Sequence, residues 1–314
     1  MIMSNIHNTL YKFSGAGNDF VVIDGRKGDV DEFRTVERIG ELCREYKTDG
    51  LMILLHPSSS GLSRGSHLDF VMEFYNPDGT GGMMCGNGGR CITAFADMLG
   101  LKPAAEDGTW HFLAPDGPHV SRILAKEPGR WTVRLKMIDV DGVTPMMGGY
   151  FLNTGTRHFV KFVDDVDAMD MERDAKPLRW DPAFQPIGTN VNFVERRKDG
   201  LHIRTYEKGV EGETLACGTG ITASAIASIM EIPGTSPRMT MESQRMTEKV
   251  KLQCRRGDWL TVEFDQNGQY FTNVYLTGPA EVVAVLKSGP KTRMTRSKTG
   301  SHPQIQAKNE DDYK

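Results

Sequence analysis

Cysteine is scarce in this chain: 314 residues carry five, at positions 43, 85, 91, 217 and 254. An odd, scattered set cannot build a disulfide framework, and it suits a reducing, cytoplasmic setting. Long apolar runs are missing too. No segment approaches the roughly 18 uninterrupted apolar residues of a membrane helix, so no membrane partner is expected. The start, MIMSNIHNTLYKF, lacks the charged-then-apolar order of a secretory signal. An excess of one charge is absent as well: 38 basic residues face 41 acidic ones, a formal net charge of -3. Such a balance does not draw in nucleic acid. A small molecule fits better. No CxxC pair or histidine cluster has zinc-like spacing, and no GxxxxGK[ST] phosphate loop occurs. No metal is expected.

What is present is an ordinary globular composition, 39% hydrophobic and 25% charged, with a length that favours two domains. "LYKFSGAGNDFVVIDGR" has the pattern of strand, Gly-rich turn, strand. A helix is predicted over about 35–45, with Val36, Ile39, Leu42 and Cys43 at helical spacing. "LMILL" and "LDFVMEFY" are strands, "NPDGTGG" is a turn cluster, and "ITAFADMLG" is predicted to be an amphipathic helix ending at Gly100. Three more strands fall between 109 and 140. Gly and Pro then cluster over 139–149, which marks a domain boundary. The second half repeats the outline: "YFLNTGTRHFVKFV" is strand, turn, strand, and "LACGTGITASAIASIM" is a Gly loop running into a small-residue helix. From Ser288 the chain is polar, with Lys291, Arg293, Arg296 and Lys298 close together, and is expected to be a disordered, solvated tail.

Two stretches match across the halves. "CGNGGRCITAFADML" from Cys85 and "CGTGITASAIASIME" from Cys217 each read Cys-Gly-polar-Gly and enter a helix. The simplest architecture is two related domains that each offer a cysteine to a shared cleft. A cysteine at a helix N-terminus meets open backbone N–H groups and the positive end of the dipole, which favour thiolate. Glycines let a bound group come close to those donors. Two such helix starts would cradle a carboxylate, and thiols on opposite faces of a carbon could remove and return a proton. That is a racemase or epimerase acting alpha to a carboxylate without a cofactor. A Cys85–Cys91 disulfide is the rival for the first stretch, but it leaves Cys217 unexplained. A redox or binding protein with Cys85 and Cys217 as a reversible disulfide pair is the rival of another class.

These residues resemble the diaminopimelate epimerase family over nearly the whole chain, from about Tyr11 to Lys287. "GAGNDF", "NPDGTGGMMCGNGGRC", "GTRH", "TNVNFVE" and "YEKGVEGETLACGTG" resemble the family's blocks, in its order. The resemblance implies an α+β fold of two pseudo-symmetric domains. Each would be a curled β-sheet around a central helix, with the active site in the cleft between them. The expected division is 8–140, with 277–287 crossing back to it, then 141–276, then the polar tail 288–314.

The resemblance also implies roles. Cys85 and Cys217 would be the acid–base pair, with His158 and Glu207 near the reacting centre. Gly86 and Asn87, with Gly218 and Thr219, would hold the reacting carboxylate. Asn18, Asn76 and Asn190 would bind the substrate's distal amino acid end, an amide offering both donor and acceptor. Asn76 in "NPDG" is equally explained as turn chemistry. Cys91 is expected to pack, and Cys43 and Cys254 to be core. The activity implied is interconversion of LL- and meso-diaminopimelate for lysine and peptidoglycan synthesis, with no cofactor. A homodimer is compatible with the sequence, which does not fix the oligomeric state.

Two departures touch the specificity contacts. The family's carboxylate-pairing arginine is Lys208, which keeps the charge but loses the bidentate fork. Its small-Pro-His turn reads Thr156-Arg157-His158, with arginine where proline is usual. Either Arg157 takes over part of the clamp or it points to solvent. A two-cysteine racemase of another amino acid stays open. A proline racemase fits less well, since its first motif carries His where this chain has Asn87.

Overall fold

The computed structural model describes residues 9–26, 28–61, 67–81, 85–230 and 246–286. The polar tail, along with Gly82, Met83 and Met84 of the first cysteine block, lies outside them.

Each half repeats one pairing plan. In the first, Leu10–Gly15 and Asn18–Asp24 form an antiparallel hairpin; Gly50–Leu55 then pairs parallel and Phe70–Tyr75 antiparallel. In the second, Gly149–Asn153 and Arg157–Phe162 form the hairpin; Asn190–Arg197 pairs parallel and Gly200–Glu207 antiparallel. The two hairpin turns share a conformation only glycine adopts easily: Gly17 and Gly155 both have φ near 109°. After a central helix, each half adds one parallel pairing and two antiparallel ones. The last strand, Tyr270–Leu286, joins the halves. Its start pairs with Trp259–Asn267, and its end pairs with Arg130–Lys136 and Leu10–Gly15. The described strands form one continuous hydrogen-bonded sheet.

Helix α1 (Val36–Tyr46) is capped by Thr35, whose side chain accepts the Arg38 N–H. It buries Ile39, Gly40, Leu42 and Cys43, whereas Val36, expected on that face, is exposed. Helix α2 (Gly86–Met98) is the axis of the first half, a short α3 (Lys176–Arg179) follows in the second, and α4 (Gly218–Met230) is the second axis. Of the polar face expected along "ITAFADMLG", only the end from Asp97 onward reaches solvent. Every residue of α2 from Gly86 to Ala96 is buried, because strands wrap the helix on all sides. Phe95, fully buried, meets Tyr11 and Phe13 at ring separations of 5.3 and 5.6 Å, and truncating it to alanine would cost about 3–5 kcal/mol. α4 is as deeply enclosed, built of Ala, Ile, Ser and Thr small enough for a tight wrap. Cys43, Cys91 and Cys254 are buried free thiols, Cys254 lying one residue beyond its strand.

Candidate active site

The two central helices meet head to head. A Cβ built on Gly218 would lie 3.4 Å from the Gly86 Cα, and one on Gly86 would lie 3.8 Å from the Gly218 Cα. A Cβ at either position would press first on Leu276 Cδ2, 3.2 Å away, with the opposite helix start already at van der Waals distance. The first-turn N–H groups of both therefore converge, and both dipoles point their positive ends at one place. Around it lies a cleft of about 1150 Å³.

Every residue the sequence singled out lines this cleft except His158. Cys85 is the N-cap of α2, its Sγ accepting the Gly88 N–H at 3.2 Å. Cys217 precedes α4, with its Sγ 3.3 Å from Thr219 Oγ1. Glu207 stands beside Cys217 and accepts the Thr214 hydroxyl at 2.6 Å. Helix ends were expected to favour thiolate. Burial outweighs them and pushes both thiols up. At Cys85 the Gly88 N–H and the Arg90 charge pull the other way; at Cys217 the Glu207 charge adds to burial. Burial also raises Glu207.

His158 stands one layer behind the cleft wall and is fully buried. Burial pushes it down to about 3, so the ring is neutral. Its Nδ1 accepts from Asn192 Nδ2 at 3.0 Å, leaving Nε2–H to donate to Thr156 Oγ1 at 2.9 Å or Thr219 Oγ1 at 3.0 Å. His158, expected near the reacting centre, meets the cleft by a path through hydroxyls. That path runs from Asn192 to His158, to Thr219, to Cys217.

The asparagines are largely occupied with one another and with backbone. Asn190 donates to the Arg157 carbonyl at 2.8 Å and accepts the Lys208 N–H at 2.9 Å, so one amide holds both cation-bearing loops at the cleft. Asn76 donates to Thr80 Oγ1 at 3.1 Å within its turn. Asn87 turns its side chain inward: Oδ1 accepts from Arg90 at 2.8 Å, and Nδ2 donates to Asn18 Oδ1 and to the Ala216 carbonyl. Asn18 in turn donates to Asp49 at 3.3 Å. What Asn87 offers the cleft is therefore backbone.

Asn192, Arg90 and Asp49 were not singled out from sequence. Asn192 lies two residues from Asn190 on one strand, hence on the same face. Arg90 lies three from Asn87 on one helix, hence above it. Those spacings were the available signals.

The diaminopimelate epimerase family model matches residues 150–283. A diaminopimelate epimerase of Flavobacterium psychrophilum is 38% identical over 87% of this chain and 97% of its own. One of Chlorobaculum tepidum is 37% identical over 86% and 97%. Among solved structures, a phenazine biosynthesis protein of the PhzF family from Bacillus anthracis superposes with a TM-score of 0.63 at 12% identity, covering 88% of this chain and 97% of that one. A probable proline racemase from Agrobacterium radiobacter superposes at 0.55 and 14% identity, covering 92% and 95%. These likenesses show the α+β, two-domain racemase-type fold. With relatives of one name at such identity over nearly their full length, the chain belongs to the diaminopimelate epimerase family and is an isomerase.

Proposed function

We propose that this enzyme interconverts LL- and meso-2,6-diaminopimelate by passing the α-proton between Cys85 and Cys217, in lysine and peptidoglycan precursor synthesis. The observation that carries this is the head-to-head contact of Gly86 and Gly218, which brings one cysteine from each half to a single cleft. The α-carboxylate sits between the helix mouths, and their N–H groups take up the charge that grows on it as the α-carbon loses its proton. One sulfur enters as thiolate and leaves as thiol, while the other does the reverse, so no electron changes hands. Glu207 and the hydroxyl path to His158 keep the Cys217 side supplied with hydrogen-bond partners through that exchange. The far carboxylate meets Lys208 and Arg157. A cleft of about 1150 Å³ has room for so long a diamino diacid.

The test is deuterium entry at the α-carbon. Reduced protein incubated in heavy water with the LL or meso isomer, without pyridoxal phosphate, is expected to label both. Labelling of neither isomer would remove the substrate assignment.

Lys208→Ala and Arg157→Ala are each expected to raise KM about tenfold or more, the usual loss for one charge-assisted contact to a carboxylate. An Arg157→Ala enzyme with unchanged KM, beside a Lys208→Ala enzyme with raised KM, would show that Arg157 takes no part in the clamp.

A further inference from the structure

Arg90 is a fully buried cation in the early turns of α2, where burial opposes any charge and the helix dipole opposes a positive one. It has no ion pair among the described residues. Its guanidinium donates only to neutral acceptors: Asn87 Oδ1 at 2.8 Å and the carbonyls of Gly86 at 3.1 Å, Pro279 at 3.3 Å and Gly15 at 3.4 Å. The matching position in the second motif is Thr222, so only one of the two helix mouths carries a charge behind it. The mouths differ in a second way. Each sulfur meets a helix N–H, of Gly88 at Cys85 and of Gly220 at Cys217; Cys217 adds the Glu207 carboxylate and a hydroxyl backed by a neutral imidazole, whereas Cys85 has Arg90 one turn deeper.

We propose that Arg90 is a positioning residue whose fixed charge makes the two thiols unequal and settles the negative charge of the resting pair on Cys85. This rests on the two-thiol reading above and says which thiol begins as base. The same guanidinium also sets the amides around it. It fixes Asn87 Oδ1, which turns Asn87 Nδ2 onto Asn18 and the Ala216 carbonyl of the other half, and Asn18 onto Asp49. A neutral side chain at 90 would remove the charge and release that chain together.

The charged groups facing Cys85 are Arg90 from its own helix and Glu207 from strand Gly200–Glu207. Arg90 faces Cys85 and Cys91 on α2, and Cys254 and Asp258 from the turn after Met246–Gln253. Burial holds Cys91 and Cys254 as neutral thiols, and Asp258 pairs with Arg256 at 3.4 Å. A change in Cys85 reactivity that follows loss of the charge at position 90, and is absent when lysine keeps it, therefore reports the Arg90 charge.

The experiment is alkylation of the reduced, substrate-free protein by iodoacetamide from about pH 7 to about pH 11, read peptide by peptide by mass spectrometry, the thiol that reacts faster at each pH marking the lower midpoint. In the unaltered protein the reactivity midpoint of Cys85 is expected below that of Cys217. Arg90→Gln should raise the Cys85 midpoint by about one unit or more, roughly tenfold in rate at neutral pH, and leave Cys217 where it was. Arg90→Lys, which keeps the charge, should stay close to the unaltered protein. A reversed order of midpoints in the unaltered protein would overturn the proposal. So would a folded Arg90→Gln protein with an unmoved Cys85. If the glutamine variant does not fold, the order of the two midpoints decides. Failure of diaminopimelate to exchange deuterium would leave these midpoints untouched, so the substrate and the charge assignment fall separately.

Discussion

Cys85→Ala and Cys217→Ala are each expected to slow epimerisation by at least about 10³-fold, since each removes one of the two groups that handle the α-proton. Deuterium exchange should not fall in the same way. A lone remaining thiol can still take the proton from the one face it reaches, trade it with solvent and return a deuteron to that face. Each single variant should therefore label one stereoisomer without inverting it, and the two variants should label opposite isomers. The double variant should label neither. The measurement is chiral separation of product alongside mass spectrometry of the recovered substrate. A single variant that still inverts near the normal rate, or a double variant that still exchanges, would remove the two-thiol mechanism. A disulfide-based function predicts differently: either single change abolishes reversible cross-linking, with no isomer preference because no substrate is turned over.

The sequence carried this mechanism as far as local patterns can. Cys-Gly-polar-Gly at the mouth of a helix is a short-range signal, and its repetition in two halves of like element order by itself implies a shared cleft. Strand alternation in "LDFVMEFY" and the glycines of the hairpin turns are equally local and placed those elements well. Depth is a different matter. Nothing within "CGNGGRC" reveals that Arg90 finds its acceptors at Gly15 and Pro279, far away in the chain, or that strands as distant in sequence as Leu10–Gly15 and Tyr270–Leu286 close over α2. A helix wrapped on every side loses its polar face along the wrapped turns whatever its own periodicity, which is how "ITAFADMLG" misleads.

The same gap explains the thiols and the histidine. A helix N-terminus read from sequence favours thiolate, but desolvation depends on what packs around the sulfur, and here it wins at both cysteines. His158 follows a turn and sits on a strand, positions consistent with a cleft-lining ring. Its burial comes from Thr156 and Thr219 standing in front of it and Asn192 behind, three residues from three segments. The site thus has a front row legible as motifs, with Asp49 beside it at the cleft, and a back row of Asn192, His158 and Arg90 that tertiary packing assembles. That back row fixes the orientation of the front one.

Gly220→Ala tests the back row directly and should be among the most damaging small changes in the protein. Glycine inside a helix normally gains about 1 kcal/mol on becoming alanine. Here the new Cβ would fall 2.5 Å from Asn192 Oδ1 and 3.2 Å from His158 Cε1. Asn192 cannot retreat. It is fully buried, its Oδ1 accepts the Thr205 hydroxyl at 2.9 Å, and its Nδ2 donates to His158 Nδ1 at 3.0 Å and to the Phe159 carbonyl at 3.2 Å. Overpacking costs about 1–3 kcal/mol and a stranded buried polar group about as much again. The propensity gain is outweighed, and a net loss of about 3 kcal/mol is expected from the shift in urea midpoint. Epimerisation should fall with it, because His158 loses the partner that fixes which nitrogen holds its proton. Gly88 is the matching position in α2, and a Cβ there would touch Cys85 Sγ and Met52 Sδ at an ordinary 3.4 Å. Gly88→Ala should therefore stay within about 1 kcal/mol of the unaltered protein. Asn192→Ser withdraws the atom that clashes, so Gly220→Ala should cost less in that background, with a coupling of about 1–3 kcal/mol. Additive losses, or a Gly220→Ala protein as stable as the original, would mean that α4 does not press on Asn192 and that the path from His158 to Cys217 is not held from behind.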